Sequence, residues 1–338
     1  MRRAAAALLV VLAACGGATT RRPAAATAGA PLPALHEGPL TDYVPAAGLR
    51  WMVVGKPKEL AADAALARAV ELLVPSERLD AFARSTGVDL RRTPAALVAG
   101  FDYGTLYVAA MPSRSVAVEE LFAERIVSGA VRRSPDPRIH RVSGVIGRTP
   151  EAMVHIDGLL VAVSTGDPTP VRVVEAFARR KLARSKPALE GAALSTLPPE
   201  LARAPFVFYA PGPFDREWLD GAHGLLGLAL AVGVGVVPRP DGVLEVTLYL
   251  AGDWARAGPD ATARLLQTWE DLASGSLGHL AGLDHPVAAP IVSVSGDALK
   301  LRVELAARPL AVGLRDAVGA NVTEWLGRGP PSAAPTNP

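Results

Sequence analysis

The sequence has little cysteine, few aromatic side chains and almost no net charge. Cys15 is the one cysteine in 338 residues, aromatic residues make up 5%, and 35 Lys and Arg stand against 33 Asp and Glu. A single cysteine excludes an intrachain disulfide and a zinc site built from several thiolates. The balanced charge leaves no electrostatic footprint for nucleic acid, so we expect no such partner. The fold must therefore be stabilised by its apolar core.

Recognisable catalytic motifs are also missing. The sequence contains no H-E-x-x-H zinc-binding pair and no G-x-S-x-G nucleophile elbow. Its glycine-rich stretches lack the G-K-[ST] of a phosphate-binding loop. After the N-terminus, no apolar run reaches the roughly 20 residues that span a bilayer. These absences favour a binding function over catalysis, although an active site can be assembled from residues that are distant in sequence.

The N-terminus has the organisation of an export signal. It reads "MRRAAAALLVVLAAC", with two arginines followed by an apolar run and small residues. Leu12-Ala13-Ala14-Cys15 resembles the lipobox of bacterial lipoproteins. This resemblance covers only the first 15 residues. It implies that residues 1–14 are a cleaved signal peptide and that Cys15 carries a covalent lipid, the one attached group we expect.

The same resemblance bears on where the protein resides. In the best-known sorting rule an Asp after the lipidated cysteine retains the protein in the inner membrane, so Gly16 implies the outer membrane. The segment 15–40 is rich in Ala, Gly, Pro and Thr and predicts a disordered tether. The tail 327–338 has a similar composition and the same expectation. The protein would therefore be attached to the membrane through its lipid, with its folded part in the cell envelope.

Between these segments the pattern indicates an α+β fold. Helical spacing is found at 57–74, 76–87, 116–129, 168–182, 259–274 and 310–326. Ser76 is a candidate N-cap and Gly87 a candidate stop for the second of these helices. A low-periodicity stretch, residues 183–205, separates two candidate halves, 41–187 and 200–326, and any domain boundary would lie near residues 185–200.

A hairpin signature recurs three times in the sequence. Asp157, Asp241 and Asp297 each lie at or beside a turn that precedes alternating apolar residues. A helical pattern follows each hairpin after a link that contains proline. Hairpin-helix units of this kind predict antiparallel sheet with helices packed on one face, and their repetition is compatible with two similar halves.

The stretch "LLGLALAVGVGVV" could be mistaken for a membrane helix. From Leu226 to Val236 the even positions are Leu or Val, and from Gly227 to Gly235 the odd positions are Gly or Ala. A period of two predicts a strand with one bulky and one small face. The small face would allow another element to approach closely.

Two polar clusters are candidates for chemistry. Asp215, Glu217, Asp220 and His223 surround Trp218, and a carboxylate pair beside an aromatic residue suits glycan binding or cleavage. The alternative is a capped short helix with Asp215 as its N-cap. His279, Asp284 and His285 could hold a metal if their loop folds back, or could be ordinary polar residues of a turn.

These observations lead to one preferred function and two alternatives. The preferred one is a membrane-anchored envelope lipoprotein whose non-catalytic domain binds or scaffolds an envelope protein or polymer. The first alternative is an envelope hydrolase acting on glycan or peptide through residues 215–223. The second is a solute-binding subunit of a transporter, which would have two lobes around a cleft near residues 185–200.

Overall fold

The computed structural model describes residues 32–113, 115–181, 185–254 and 259–315, without the side chains of Glu217, Trp218, Asp220, Pro259 and Leu277. The chain divides into two units, Met1–Ala34 and Leu35–Pro338. Residues 32–34 of the first unit have no regular secondary structure. The predicted signal peptide, Cys15, Gly16 and the predicted tail 327–338 lie outside the described residues.

The helices and strands of the second unit alternate in short groups. The strands are β1 Leu49–Gly55, β2 Ala96–Phe101, β3 Gly104–Ala110, β4 Ser128–Asp136, β5 Ile139–Ile146, β6 Thr149–Ile156, β7 Leu160–Gly166, β8 Phe206–Pro211, β9 Ala231–Pro238, β10 Val243–Ala251, β11 Ala288–Ser295 and β12 Ala298–Ala306. The helices are α1 Pro57–Ala62, α2 Ala67–Leu73, α3 Ser76–Thr86, α4 Val116–Glu124, α5 Thr169–Ala178, α6 Arg216–Gly221, α7 Pro259–Ser274, α8 Ser276–Ala281 and α9, residues 307–315. The fold class is α+β, as the sequence predicts.

The twelve strands of the described residues form one antiparallel sheet. Their order is β11-β12-β10-β9-β8-β1-β2-β3-β7-β6-β5-β4. The first strands of the two sequence halves, β1 and β8, pair with each other at the centre, where Met52 faces Tyr209. The sheet therefore continues across the position where a solute-binding subunit would need a cleft between two lobes.

The two halves repeat one order of elements. Each begins with a strand, continues through helical segments to a hairpin, and then has a helical segment, a second hairpin and a helix. In each half the third strand pairs with the last, β3 with β7 and β10 with β12. The first half adds the strands β4 and β5 beside β6. The expectation of two similar halves is thus met in strand order and pairing.

The hairpins that carry Asp157, Asp241 and Asp297 are β6-β7, β9-β10 and β11-β12. Gly158 and Gly242 have φ values of 73° and 77°, the left-handed region that glycine tolerates best, which explains the Asp-Gly pairs. The hairpin β2-β3 turns at Asp102 and is followed by α4, so it is a fourth unit of the same kind.

The sheet has two faces, which we name by their cores. Face A carries Met153, Val161, Leu250, Leu299 and Leu301, whereas face B carries Met52, Leu97, Leu106, Val154 and Tyr209. The α4 side chains Val118 and Phe122 pack on face A in the first half. The α7 side chains Ala261 and Leu265 pack on the same face in the second half.

Helix α5 departs from the expected arrangement of helices on one face. Its side chains Val171, Val174 and Phe177 pack on face B. Helices of the first half therefore cover β6 and β7 on both faces. Met153 and Val154 are adjacent and point in opposite directions, yet both are fully buried.

The predicted helix 57–74 is two helices, α1 and α2. The carboxylate of Asp63 accepts hydrogen bonds from the backbone N–H groups of Ala65 (2.9 Å) and Leu66 (3.2 Å). A side chain that hydrogen-bonds the backbone locally offers an alternative to the helical hydrogen bonds, and it breaks the helix here.

Ser76 is not the N-cap of α3. It is the first residue of that helix, and its hydroxyl donates to Glu71 at 2.7 Å. Gly87 does end α3, with φ 74°.

The apolar stretch 225–237 becomes a strand only from Ala231 onward, since Leu225–Gly227 form a 3-10 turn. In β9 the small face is covered closely. A Cβ at Gly235 would lie 2.9 Å from Leu201, and one at Gly233 would crowd both Leu197 and Leu201. The glycines therefore serve close packing, as the alternation predicts.

The leucines that occupy this space come from the low-periodicity stretch between the halves. Residues 188–203 contain short 3-10 helices, and Leu194, Leu197 and Leu201 are buried in the face B core.

The end of the predicted tether also contacts the folded part: the Leu40 side chain is buried, and the N–H of His36 donates to Ala178 O at 2.8 Å.

Candidate functional site

An apolar cavity of about 560 Å³ lies on face A, between α3, α4 and the strands β2, β3, β6 and β7. Such a volume is within the range of small-molecule sites in proteins. The cavity is lined mostly by aliphatic and aromatic side chains: Phe82, Val88, Leu90, Val98, Tyr107, Val118, Phe122, Met153, Val161 and Val163. Its surface is suited to an apolar ligand.

Helix α4 forms one wall of this cavity and is held by both apolar and polar contacts. Val118 and Phe122 are 3% and 4% exposed and pack against Met153 and Val161. Glu119, in the first turn of α4, contacts the fully buried His155 of β6. Nδ1 of His155 lies 2.9 Å from Oε1 of Glu119. This pair fixes the position of α4 over the strand.

The cavity is open to solvent at a partly exposed aromatic rim. Tyr107 is 47% exposed and Phe82 is 42% exposed, although both line the cavity. Exposed aromatic surface next to an apolar cavity is costly in water and is reduced when a ligand covers it. A ligand could therefore enter at these two side chains.

One ion pair accompanies the apolar lining. Arg125 Nη2 and Glu151 Oε2 are 3.9 Å apart, and the Arg125 side chain is much the more exposed. Burial raises the pKa of Glu151, and the Arg125 guanidinium opposes part of that rise. The cavity can therefore accept an amphiphile with one polar end.

The residues of the first polar cluster are only partly placed. Asp215 precedes α6 in the N-cap position and its carbonyl accepts from Leu219, but its side chain makes no capping hydrogen bond. His223 Nε2 lies 2.6 Å from Asp271 Oδ2 of α7. Hydrogen bonds from Gln267 and then from His223 lower the pKa of Asp271. The side chains of Glu217 and Asp220 lie outside the described residues.

The second cluster is brought together around one carboxylate. His279 Nδ1 is 2.6 Å and His285 Nε2 is 3.4 Å from Asp284 Oδ2. The hydrogen bond from His279 is the main cause that lowers the pKa of Asp284. Within the described part of the chain, no three His, Cys, Asp or Glu side chains are arranged to hold a metal ion.

No protein-family model and no curated protein matches this chain. Among solved structures it is similar to two crystal forms of the protein TP0453. Crystal form III has 13% sequence identity and a TM-score of 0.49, covering 83% of this chain and 99% of that one. Crystal form IV has 13% identity and a TM-score of 0.47, covering 83% and 97%.

The cavity was not among the candidate sites of the sequence. The helical spacing of Val118, Leu121, Phe122 and Ile126 does predict that α4 has an apolar stripe. That stripe alone cannot distinguish a helix in full contact with its sheet from one that leaves a space.

In the described ranges, no helix combines the length and the apolar character that crossing a membrane requires.

Proposed function

We propose that this chain is an exported lipoprotein, anchored through Cys15, whose non-catalytic domain binds the acyl chain of a lipid in the face A cavity. The observation that carries the proposal is the cavity itself, about 560 Å³ in volume and lined by aliphatic and aromatic side chains. Each CH₂ group moved from water into such a space stabilises the complex by about 0.8 kcal/mol. A long alkyl chain is therefore the ligand that this lining favours.

The predicted anchor supports the choice of ligand. A lipid on Cys15 would hold the domain close to a bilayer, where acyl chains are abundant and their local concentration is high. The partly exposed Phe82 and Tyr107 would be the entry, and the pair Arg125–Glu151 would lie near the polar end of the ligand. Because Gly16, and not Asp, follows Cys15, the sorting rule of bacterial lipoproteins favours the outer membrane as the location of this protein.

Photo-crosslinking tests the ligand. The full-length protein is reconstituted in vesicles that contain a phospholipid with a diazirine in one acyl chain, and crosslinked peptides are identified by mass spectrometry. We expect crosslinks in α3, α4 and β3. Ala109→Phe places a ring in the cavity and should abolish them, whereas Ala117→Phe, on the exposed side of α4, should not. Equal crosslinking of the two variants, or crosslinks concentrated on face B, contradicts acyl-chain binding.

The anchor is tested separately through Cys15. Cells fed labelled palmitate should yield a labelled wild-type protein, and Cys15→Ala should lose both the label and signal-peptide removal. A Cys15→Ala chain that still carries palmitate would show that the lipid is elsewhere.

A further inference from the structure

A second cleft, on face B, is lined by arginine side chains. It has a volume of about 290 Å³ and lies where β4 and β5 meet the start of α5. Arg133 of β4, Arg141 and Ser143 of β5, and Arg172 of α5 all contribute to it. Three guanidinium groups from three different elements thus border one small space, which lies on the opposite face from the apolar cavity.

The charges of this cleft are only partly neutralised. Arg141 Nη1 is 2.8 Å from Glu175 Oε2, but Glu175 also bonds Arg179 at 3.2 Å, so one carboxylate serves two arginines. In the described ranges, neither Arg133 nor Arg172 forms a salt bridge. Hydrogen bonds with Thr169 are the main cause that lowers the pKa of nearby Asp167, and the charge of Arg172 adds to the effect. Glu151, which lines both this cleft and the face A cavity, is paired with Arg125 at 3.9 Å.

Like charges repel one another in a confined space unless an anion neutralises them. A guanidinium presents a planar fork of donors that matches the oxygens of a phosphoryl group and can bind it with two parallel hydrogen bonds. The Ser143 hydroxyl adds a further donor. Arg141 is already oriented by Glu175, so the cleft has one fixed guanidinium beside two that can adjust.

We propose that this cleft is a binding site for a phosphoryl group. Such a group could belong to a phospholipid headgroup or to a soluble phosphate, and both would meet the same three arginines. The site is distinct from the acyl-chain cavity, because the two lie on opposite faces of the sheet and share one lining residue, Glu151, while α5 contributes to the cleft only.

Titration calorimetry on the full-length protein in a non-ionic detergent tests this proposal. One arm titrates inorganic phosphate, and the other titrates a phosphatidylglycerol with six-carbon chains. The test variant is the double substitution Arg133→Gln with Arg172→Gln, which leaves the Arg141–Glu175 pair intact. The control is Arg78→Gln with Arg84→Gln, which removes the same charge from two exposed arginines of α3.

We expect at least one of the two probes to bind. The Arg133/Arg172 variant should bind it at least tenfold more weakly, and the α3 variant should bind it as the wild type does. Binding of phosphatidylglycerol alone identifies a lipid headgroup, and binding of inorganic phosphate identifies the free anion. The proposal is overturned if neither probe binds, or if the two double variants lose affinity equally.

Discussion

At the scale of single residues, the buried polar groups of face A decide how α4 is held. His155 is fully buried, and its Nε2 has no hydrogen-bond partner among the described residues. The neighbouring His140 ring lies 6.3 Å away, and its Nε2 is 3.7 Å from Asp157. A buried imidazole with one partner depends strongly on that partner, which here is Glu119.

Removal of that partner should destabilise the protein measurably. Glu119→Ala leaves His155 buried with neither ring nitrogen bonded, and we expect a loss of about 1–3 kcal/mol in the free energy of unfolding. Urea denaturation followed by circular dichroism measures it. Glu120→Ala, at an exposed position of the same helix, is the control and should change stability by less than about 0.5 kcal/mol. Equal effects of the two substitutions would show that the His155–Glu119 contact contributes nothing.

At the scale of elements, the sheet shows why a strand can need glycine. In β9 the alternation places Val232 and Val234 on face A, where larger side chains fill the core. Gly233 and Gly235 alternate with these valines along β9 and point to face B, where they make room for Leu197 and Leu201. The intrinsic cost of glycine in a strand is offset by the burial of those two leucines.

Substitution of one glycine should therefore be costly for a steric reason. Gly233→Val would place its side chain against both Leu197 and Leu201, and overpacking of this kind costs about 1–3 kcal/mol. Gly55→Val in β1 is the control, because no atom lies within 4 Å of the Cβ position there. Both variants gain the same strand propensity. We expect only Gly233→Val to lower the midpoint temperature of thermal unfolding.

At the scale of the whole molecule, the pairing of β1 with β8 joins the two sequence halves. Four residue pairs, from Met52–Tyr209 to Gly55–Phe206, connect them. The face B core also spans the junction, since Leu97 and Leu106 of the first half belong to the same cluster as Tyr209 and Tyr249 of the second half. A shared sheet and a shared core predict that the halves unfold together.

The tryptophans allow this cooperativity to be measured. Trp51 lies in β1 and the other four follow residue 205, so the fluorescence of a Trp51→Phe variant reports on the second half alone. Circular dichroism reports on both halves. We expect the two signals to change at the same urea concentration. Midpoints that differ by more than the measurement error would indicate two separately unfolding halves.

Much of this protein could be predicted from local sequence patterns. The α+β class, the three hairpins around Asp157, Asp241 and Asp297, and the small face of β9 depend on periodicity and turn chemistry, which are encoded within a few residues. The break between α1 and α2 was missed because Asp63 competes with a helix that its neighbours favour. The lipobox is likewise a local pattern, and its interpretation remains a prediction.

Only the tertiary structure decided how distant segments combine. Sequence alone did not indicate that β1 pairs with β8, that α5 packs on the face opposite α4, or that a cavity remains beneath α4. The three arginines of the face B cleft are up to 39 residues apart and share no motif. The physical reason is that strand pairing and helix packing are set by the sum of many weak contacts between distant residues, which no local pattern contains.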